Sequence, residues 1–207
     1  MAQDILRHIK SWQYEQKRLI VGIDGYSGSG KTTVLDSLAE HCTDILPLHL
    51  DEFIVHWKKR KQMMSSSMDR SKVFEYKWYR HNALCALLQM FKDGRQKSVT
   101  IRTYDFKLND FGDRKILPLT KDTLVIEGIF LFHPSLPINA CLDKRVYLSV
   151  DFESADRRRI AREKKLWGRA YMQESHPDSY VAPFKIAYRR YVGEFDPAGM
   201  ADVVYSS

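Results

Sequence analysis

The 207-residue chain is predicted to be an α/β protein. The expected fold has three layers, with a central, mainly parallel sheet, helices on both faces and a helical lid. Three observations predict it. Short, almost wholly apolar runs such as 123–130 and 145–150 alternate with longer segments of helical periodicity. Strands covered on both faces by crossover helices read this way. A glycine-rich loop stands between the first such run and a helical segment, and a strongly basic helical stretch lies late in the chain.

Taken in order, the segment to about residue 16 reads as a helix with Ile5, Leu6, Ile9 and Trp12 on one apolar stripe. Residues 18–24 read as a buried strand, and it runs into Gly25-Tyr26-Ser27-Gly28-Ser29-Gly30-Lys31-Thr32. This fits G-x-x-x-x-G-K-[ST], the phosphate-binding P-loop, and residues 33–40 read as the helix that must follow it. Gly25, Gly28 and Gly30 leave backbone N–H groups room to converge on phosphate oxygens. The helix N-terminus adds its dipole and unpaired N–H groups. Lys31 is expected to reach the β- and γ-phosphates, and the Thr32 hydroxyl to face Mg²⁺. Ser27, Ser29 and Thr33 complete the set expected around ATP (or GTP).

Residues 45–50 form a second apolar run ending at Asp51, with Pro47 arguing for an irregular or early strand position. Residues 57–68, basic and then serine-rich, are expected to be a mobile loop, with a flap over the second substrate as the sharper alternative. Residues 75–92 read as one helix closed by Asp93-Gly94. Residues 98–104 alternate like a strand and 114–117 could pair with them. After the strands at 123–130 and 145–150 come a basic helix at 154–166, a helix near 183–193 and a short final strand at 202–205. No internal repeat is visible. The expectation is one domain, 1–207, with an N-terminal helix at 1–17 and a lid at about 153–175.

Composition narrows the class. The net charge of +7 suits a cleft that holds a triphosphate. No nucleic-acid-binding signature is present, so a nucleic-acid partner is not expected. No apolar run approaches membrane-spanning length and no apolar signal region opens the chain, which makes the cytoplasm the expected compartment. Cys42, Cys85 and Cys141 lack metal-type spacing and are expected to be reduced. Homo-oligomerisation is left open.

Three features select among P-loop proteins. Asp51 follows the second strand, where a carboxylate can lie near the γ-phosphate and accept a proton from an attacking hydroxyl. Glu127 ends an otherwise apolar strand, and Mg²⁺ is a natural partner for an acid there, a buried ion pair being the alternative. Arg158, Arg162, Lys165 and Arg169 fall on nearly one face, able to close over ATP and stabilise charge on the transferring phosphoryl group. No N-K-x-D guanine signature occurs.

On these residues the chain resembles the uridine kinase / phosphoribulokinase family from about residue 18 to 205. The loop from Gly25 to Thr33 is similar to the uridine kinase loop. Asp51-Glu52-Phe53 resembles the Asp-x-Phe that supplies the general base, and Tyr104-Asp105-Phe106 the Tyr-Asp-Phe of the nucleoside pocket. The run 125–129 resembles the strand whose glutamate places Mg²⁺. Arg158-Arg159-x-x-Arg162 and Gly168-Arg169 resemble the arginine lid, and 201–204 the final strand near the adenine side. The resemblance implies an ATP-dependent kinase acting on a primary hydroxyl, with a nucleoside, uridine or cytidine, as the leading acceptor. It implies Asp51, Lys31, Arg158, Arg162 and Arg169 as catalytic residues. Phe53, Glu75, Trp78, Tyr104 and Phe106 would line the acceptor pocket, with Glu75 able to hold the ribose diol.

Departures accompany the match. Lys107-Leu108-Asn109-Asp110 stands where uridine kinases carry a His and an Arg, and Leu166-Trp167-Gly168-Arg169 where Glu-Arg-Gly-Arg is common. Ala155 replaces a frequent arginine. Nicotinamide riboside, pantothenate, a sugar phosphate or glycerate are alternative acceptors. A nucleotide-dependent switch is the alternative outside kinases.

Overall fold

The computed structural model describes residues 1–206; Ser207, the last residue of the expected domain, lies outside the described residues. The helices are α1 (Ala2–Gln13), α2 (Lys31–His41), α3 (Trp57–Ser66), α4 (Arg70–Lys77), α5 (His81–Asp93), α6 (Phe152–Trp167) and α7 (Val181–Phe195). The strands are β1 (Leu19–Gly25), β2 (Ile45–His49), β3 (Ser98–Asp105), β4 (Asp110–Pro118), β5 (Thr123–Gly128), β6 (Lys144–Ser149) and β7 (Val203–Ser206).

A five-stranded sheet runs in the order β2-β5-β1-β6-β7, and each of its pairings is parallel. Residue alternation divides its two faces. Leu19, Val21 and Ile23 of β1 pack with Ile5 and Ile9 of α1 and Val34, Leu35 and Leu38 of α2. Ile20 of β1 faces the opposite core, which holds Leu87, Leu88 and Phe91 of α5 and Tyr188 and Tyr191 of α7. Pro47 is tolerated because β2 is an edge strand, where a missing N–H costs no ladder bond on the open side. β3 and β4 form a separate antiparallel hairpin beside this core.

Two expected elements are corrected. Residues 57–68 are not a loop: α3 spans most of them, and the His56 side chain caps it by accepting from Lys58 N at 3.2 Å. Lys58, Lys59 and Lys61 are exposed while Arg60 and Met64, one turn apart, are buried. The basic run concealed that inward stripe. The helix expected over 75–92 is broken between α4 and α5. There Arg80 N donates to Phe53 O at 2.7 Å, Val55 N donates to Trp78 O at 3.0 Å, and Ile54 bridges Tyr79. Backbone pairing with the segment after β2 replaces helical bonds, and local periodicity does not report such a partner.

Candidate active site

β1 lies between β5 and β6, the point where strand order reverses, and the loop leaving its C-terminal end opens into a crevice. Gly28 and Gly30 have φ of 91° and 95°, the left-handed region that favours glycine. Gly30 caps α2. A Cβ on Gly28 would lie 2.3 Å from the Ala155 carbonyl oxygen, so the backbone of α6 rests directly on the loop. Two arginines of α6 reach the same place: Arg162 Nη2 donates to Ser27 Oγ at 3.2 Å and Arg158 Nη1 lies 3.5 Å from Gly28 O. Tyr26 OH donates to Asp156 at 3.0 Å and closes the contact from below.

Lys31 is buried, with Nζ donating to Gly25 O at 2.7 Å and Tyr26 O at 2.8 Å. Burial pulls its pKa down, opposed by the charges of Glu127, Asp24 and Asp51. The Ser29 hydroxyl is buried with no hydrogen-bond partner. An orphaned donor, a lysine and a helix N-terminus at one loop fit a ligand that brings anionic oxygens.

Alternation along β5 puts Thr123, Val125 and Glu127 on the face of α2. Thr32 Oγ1 donates to Glu127 Oε1 at 3.2 Å, and His49 Nδ1 lies 3.0 Å from the same oxygen. Burial works against the charged form of Glu127, but the hydrogen bond from His49 and the charge of Lys31 outweigh it and hold the carboxyl below its ordinary range. The His49 ring is correspondingly shifted up by that hydrogen bond, against its own desolvation. A hydroxyl and an ionised carboxylate are the hard oxygen donors Mg²⁺ takes. Among the described residues no three His, Cys, Asp or Glu side chains are grouped for a metal. Mg²⁺ completes its shell with phosphates and water, so the Thr32–Glu127 pair is a sufficient protein contribution.

Asp51 opens a short 3₁₀ turn, Leu50–Phe53, directly after β2. Its side chain is solvent-accessible on the cleft side, with protein packed around it otherwise. That packing pushes its carboxyl upward and Glu127 adds to the shift, while Tyr79 OH, donating to Oδ1 at 3.1 Å, opposes it. Asp51, Lys31 and Glu127 share one cleft of about 690 Å³ that also contains Ser27, Gly28 and Arg162. Its wall includes the aromatic rings of Trp78, Phe106 and Trp167, the last two packed edge to face with centres 6.4 Å apart. A cleft of this size accommodates a metabolite beside a nucleotide's phosphates.

Other expected site residues lie elsewhere. Glu75 cannot hold a ribose diol: it is 1 % exposed, 3.0 Å from the His133 ring, and its other oxygen is bound by Arg190. Phe53 is buried beneath the Arg80 guanidinium, 5.7 Å from its ring centre, and is not in the cleft wall. Tyr104 is buried behind the wall, its hydroxyl accepting from Arg60 at 2.8 Å and donating to Asn109 at 2.6 Å. Arg169 lies in the turn after α6, exposed and outside the cleft wall, and Thr33 is exposed on the first turn of α2.

The cleft also holds Arg60, Tyr79 and Asn109, to which the sequence assigned no role, together with Arg159 of the arginine-lid motif. Arg159 is buried between Asp156 at 3.1 Å and Glu163 at 2.9 Å, so it braces α6 while Arg162 faces the loop. Asn109, with φ of 50° in the β3–β4 turn, takes a conformation Asn adopts more readily than most residues. Only the Arg60–Met64 spacing carried a signal.

Strand, phosphate loop, helix and the overlying α6 define a P-loop kinase fold. A model of the phosphoribulokinase / uridine kinase family matches residues 20–203. The chain belongs to that family. It is 27% identical over 177 residues to a uridine kinase of Macrococcus caseolyticus, covering 85% of this chain and 82% of that protein. Among solved structures it superposes on a possible uridine kinase from Bacillus stearothermophilus with a TM-score of 0.68 at 21% identity, over 98% of both chains. It also superposes on D-glycerate 3-kinase from Cryptococcus neoformans with a TM-score of 0.67 at 14% identity, over 92% of this chain and 88% of that one.

Proposed function

We propose that the protein is an ATP- and Mg²⁺-dependent kinase that transfers the γ-phosphoryl group to a primary hydroxyl of a small molecule. The observation that carries this reading is the single cleft shared by the phosphate loop, with Lys31, and by Asp51, with Arg162 above. The acceptor oxygen bonds to the γ-phosphorus while the bond from that phosphorus to the β–γ bridging oxygen breaks. The hydroxyl proton passes to Asp51 and ADP leaves. Lys31 and Arg162 neutralise oxygens of the transferring group, where charge develops. Thr32 and Glu127 would hold Mg²⁺, which supplies charge neutralisation between the β- and γ-phosphates. α6 excludes water from the loop, limiting hydrolysis.

The relative named uridine kinase supports a nucleoside, uridine first, as acceptor. A second reading, an acceptor with an anionic group, is favoured by one observation: among the described residues the buried Arg60 has no carboxylate within ion-pair distance.

The test is ADP release from Mg·ATP with candidate acceptors, in the wild type and in Asp51→Asn. An acceptor is expected to stimulate release. Asp51→Asn is expected to lower turnover by about 10²-fold or more with ATP affinity nearly intact. Full turnover in Asp51→Asn would remove the base assignment. Slow release indifferent to every hydroxyl compound would replace the kinase reading with a nucleotide-dependent switch.

A further inference from the structure

Arg60 is 7 % exposed, yet it belongs to the wall of the cleft. Its guanidinium carbon lies 4.9 Å from the centre of the Trp78 ring and 5.0 Å from that of Tyr104. Nη2 donates to Tyr104 OH at 2.8 Å, and Nε is buried with no partner. Among the described residues Arg60 has no carboxylate within ion-pair distance. The contrast with Arg159 is direct: that residue is also buried in the same cleft wall and has an acid on either side. A buried cation without a counter-charge is costly, and aromatic faces offset only part of the cost. The N–H groups of Nη1 and the second N–H of Nη2 match a carboxylate or a phosphate, and the cleft wall that contains Arg60 also contains Asp51.

We propose that the acceptor carries an anionic oxygen group, a carboxylate or a phosphate, in addition to its reacting hydroxyl, and that Arg60 binds it. This inference rests on the kinase reading above and assigns its substrate class. A nucleobase carbonyl would satisfy a donor but leave the charge uncompensated. The anionic group does both. Asn109, which accepts from the Tyr104 hydroxyl that Arg60 engages, fixes the orientation of this corner. Arg60 is therefore a specificity residue that touches the substrate through this anionic group.

The experiment compares matched acceptors in Mg·ATP turnover: glycerate against glycerol, pantothenate against pantothenyl alcohol, ribulose 5-phosphate against ribulose, with uridine and cytidine as neutral nucleosides. One or more anionic members are expected to stimulate, and their neutral counterparts to fail. The carboxylate and phosphate pairs separate the two sources of charge. Arg60→Gln is expected to raise KM for the anionic acceptor about 10- to 100-fold, with the KM for ATP moving less than about twofold. Arg60→Lys is expected to recover part of the loss, since a point charge remains but the fork does not. A purely structural Arg60 would instead lower turnover of neutral and anionic acceptors alike and leave their ratio unchanged.

A second measurement does not depend on turnover. Binding of glycerate, pantothenate and ribulose 5-phosphate to the Mg·ADP-loaded protein is followed by tryptophan fluorescence, since Trp78 stacks on Arg60. Saturable quenching that Arg60→Gln abolishes is expected. Equal responses in wild type and Arg60→Gln, or none in either, would overturn the proposal. Stimulation by uridine or cytidine alone would also overturn it while leaving the kinase reading intact. Arg60-dependent binding without any phosphoryl transfer would do the reverse.

Discussion

At the residue scale the proposed chemistry rests on how Asp51 is held. Tyr79 OH donates to its carboxylate, the one hydrogen bond that favours the ionised form against desolvation and the charge of Glu127. Tyr79 is itself buried, and burial together with Asp51 drives its phenol well above the ordinary range, so it stays a donor at all working pH values. In Tyr79→Phe the Asp51 pKa should rise further. A base must be deprotonated to act, so the acid limb of kcat/KM should move to higher pH while the rate on the plateau changes less. A pH profile checks this, and an unmoved limb would separate Tyr79 from Asp51. Lys31, Thr32, Asp51 and Glu127 were legible because each sits at a fixed offset from a strand end or within a motif. Tyr79 and Arg60 were not, since their places depend on chain segments that meet only in three dimensions.

At the scale of elements, α6 lies directly against the phosphate loop. The Ala155 carbonyl occupies the space a side chain on Gly28 would need, and Gly28 also holds a left-handed φ. Gly28→Ala therefore strains the loop and wedges α6 away from it, breaking the approach of Arg162 to Ser27. Turnover should fall by about 10²-fold or more, and ADP release in the absence of acceptor should rise relative to transfer as water enters. An unchanged ratio of hydrolysis to transfer would show that α6 does not seal the loop. α3 makes the complementary point about reading elements. Its lysines suggested a solvated loop, and lysines on the outer face of a helix look the same in sequence. The break between α4 and α5 escaped notice because helix propensity continues through residues whose backbone groups are taken by the segment 53–55.

At the scale of the whole molecule, the sheet order places β1 centrally and buries Asp24 at its end. This carboxyl is fully buried, accepting from Gly25 N, Phe132 N at 3.2 Å and Tyr191 OH at 2.6 Å, and so ties the phosphate loop to the segment after β5 and to α7. Burial lifts its pKa from the ordinary 3.8 to about 6, with Tyr191 and Lys31 opposing. The folded state therefore binds a proton more tightly than the unfolded chain, and the contribution of Asp24 to stability declines as pH rises through that interval. The melting temperature of Asp24→Asn relative to the wild type should rise between pH 3.8 and 6 and level off on either side. A difference that is flat across the interval would mean that Asp24 titrates normally.

The alternation of apolar strands with helices, the phosphate loop and the acids at two strand ends were all written in the order of residues, because each is a local pattern of spacing and polarity. The phosphate-loop motif and the α/β class followed from these patterns. Which residues line the cleft was decided by packing. Glu75, an apparent candidate, is withdrawn into a buried pair with Arg190 and His133, whereas Arg60, hidden in a basic run, is turned inward between Trp78 and Tyr104. A charge is assigned its role by the partners that burial allows it, and those partners come from distant parts of the chain.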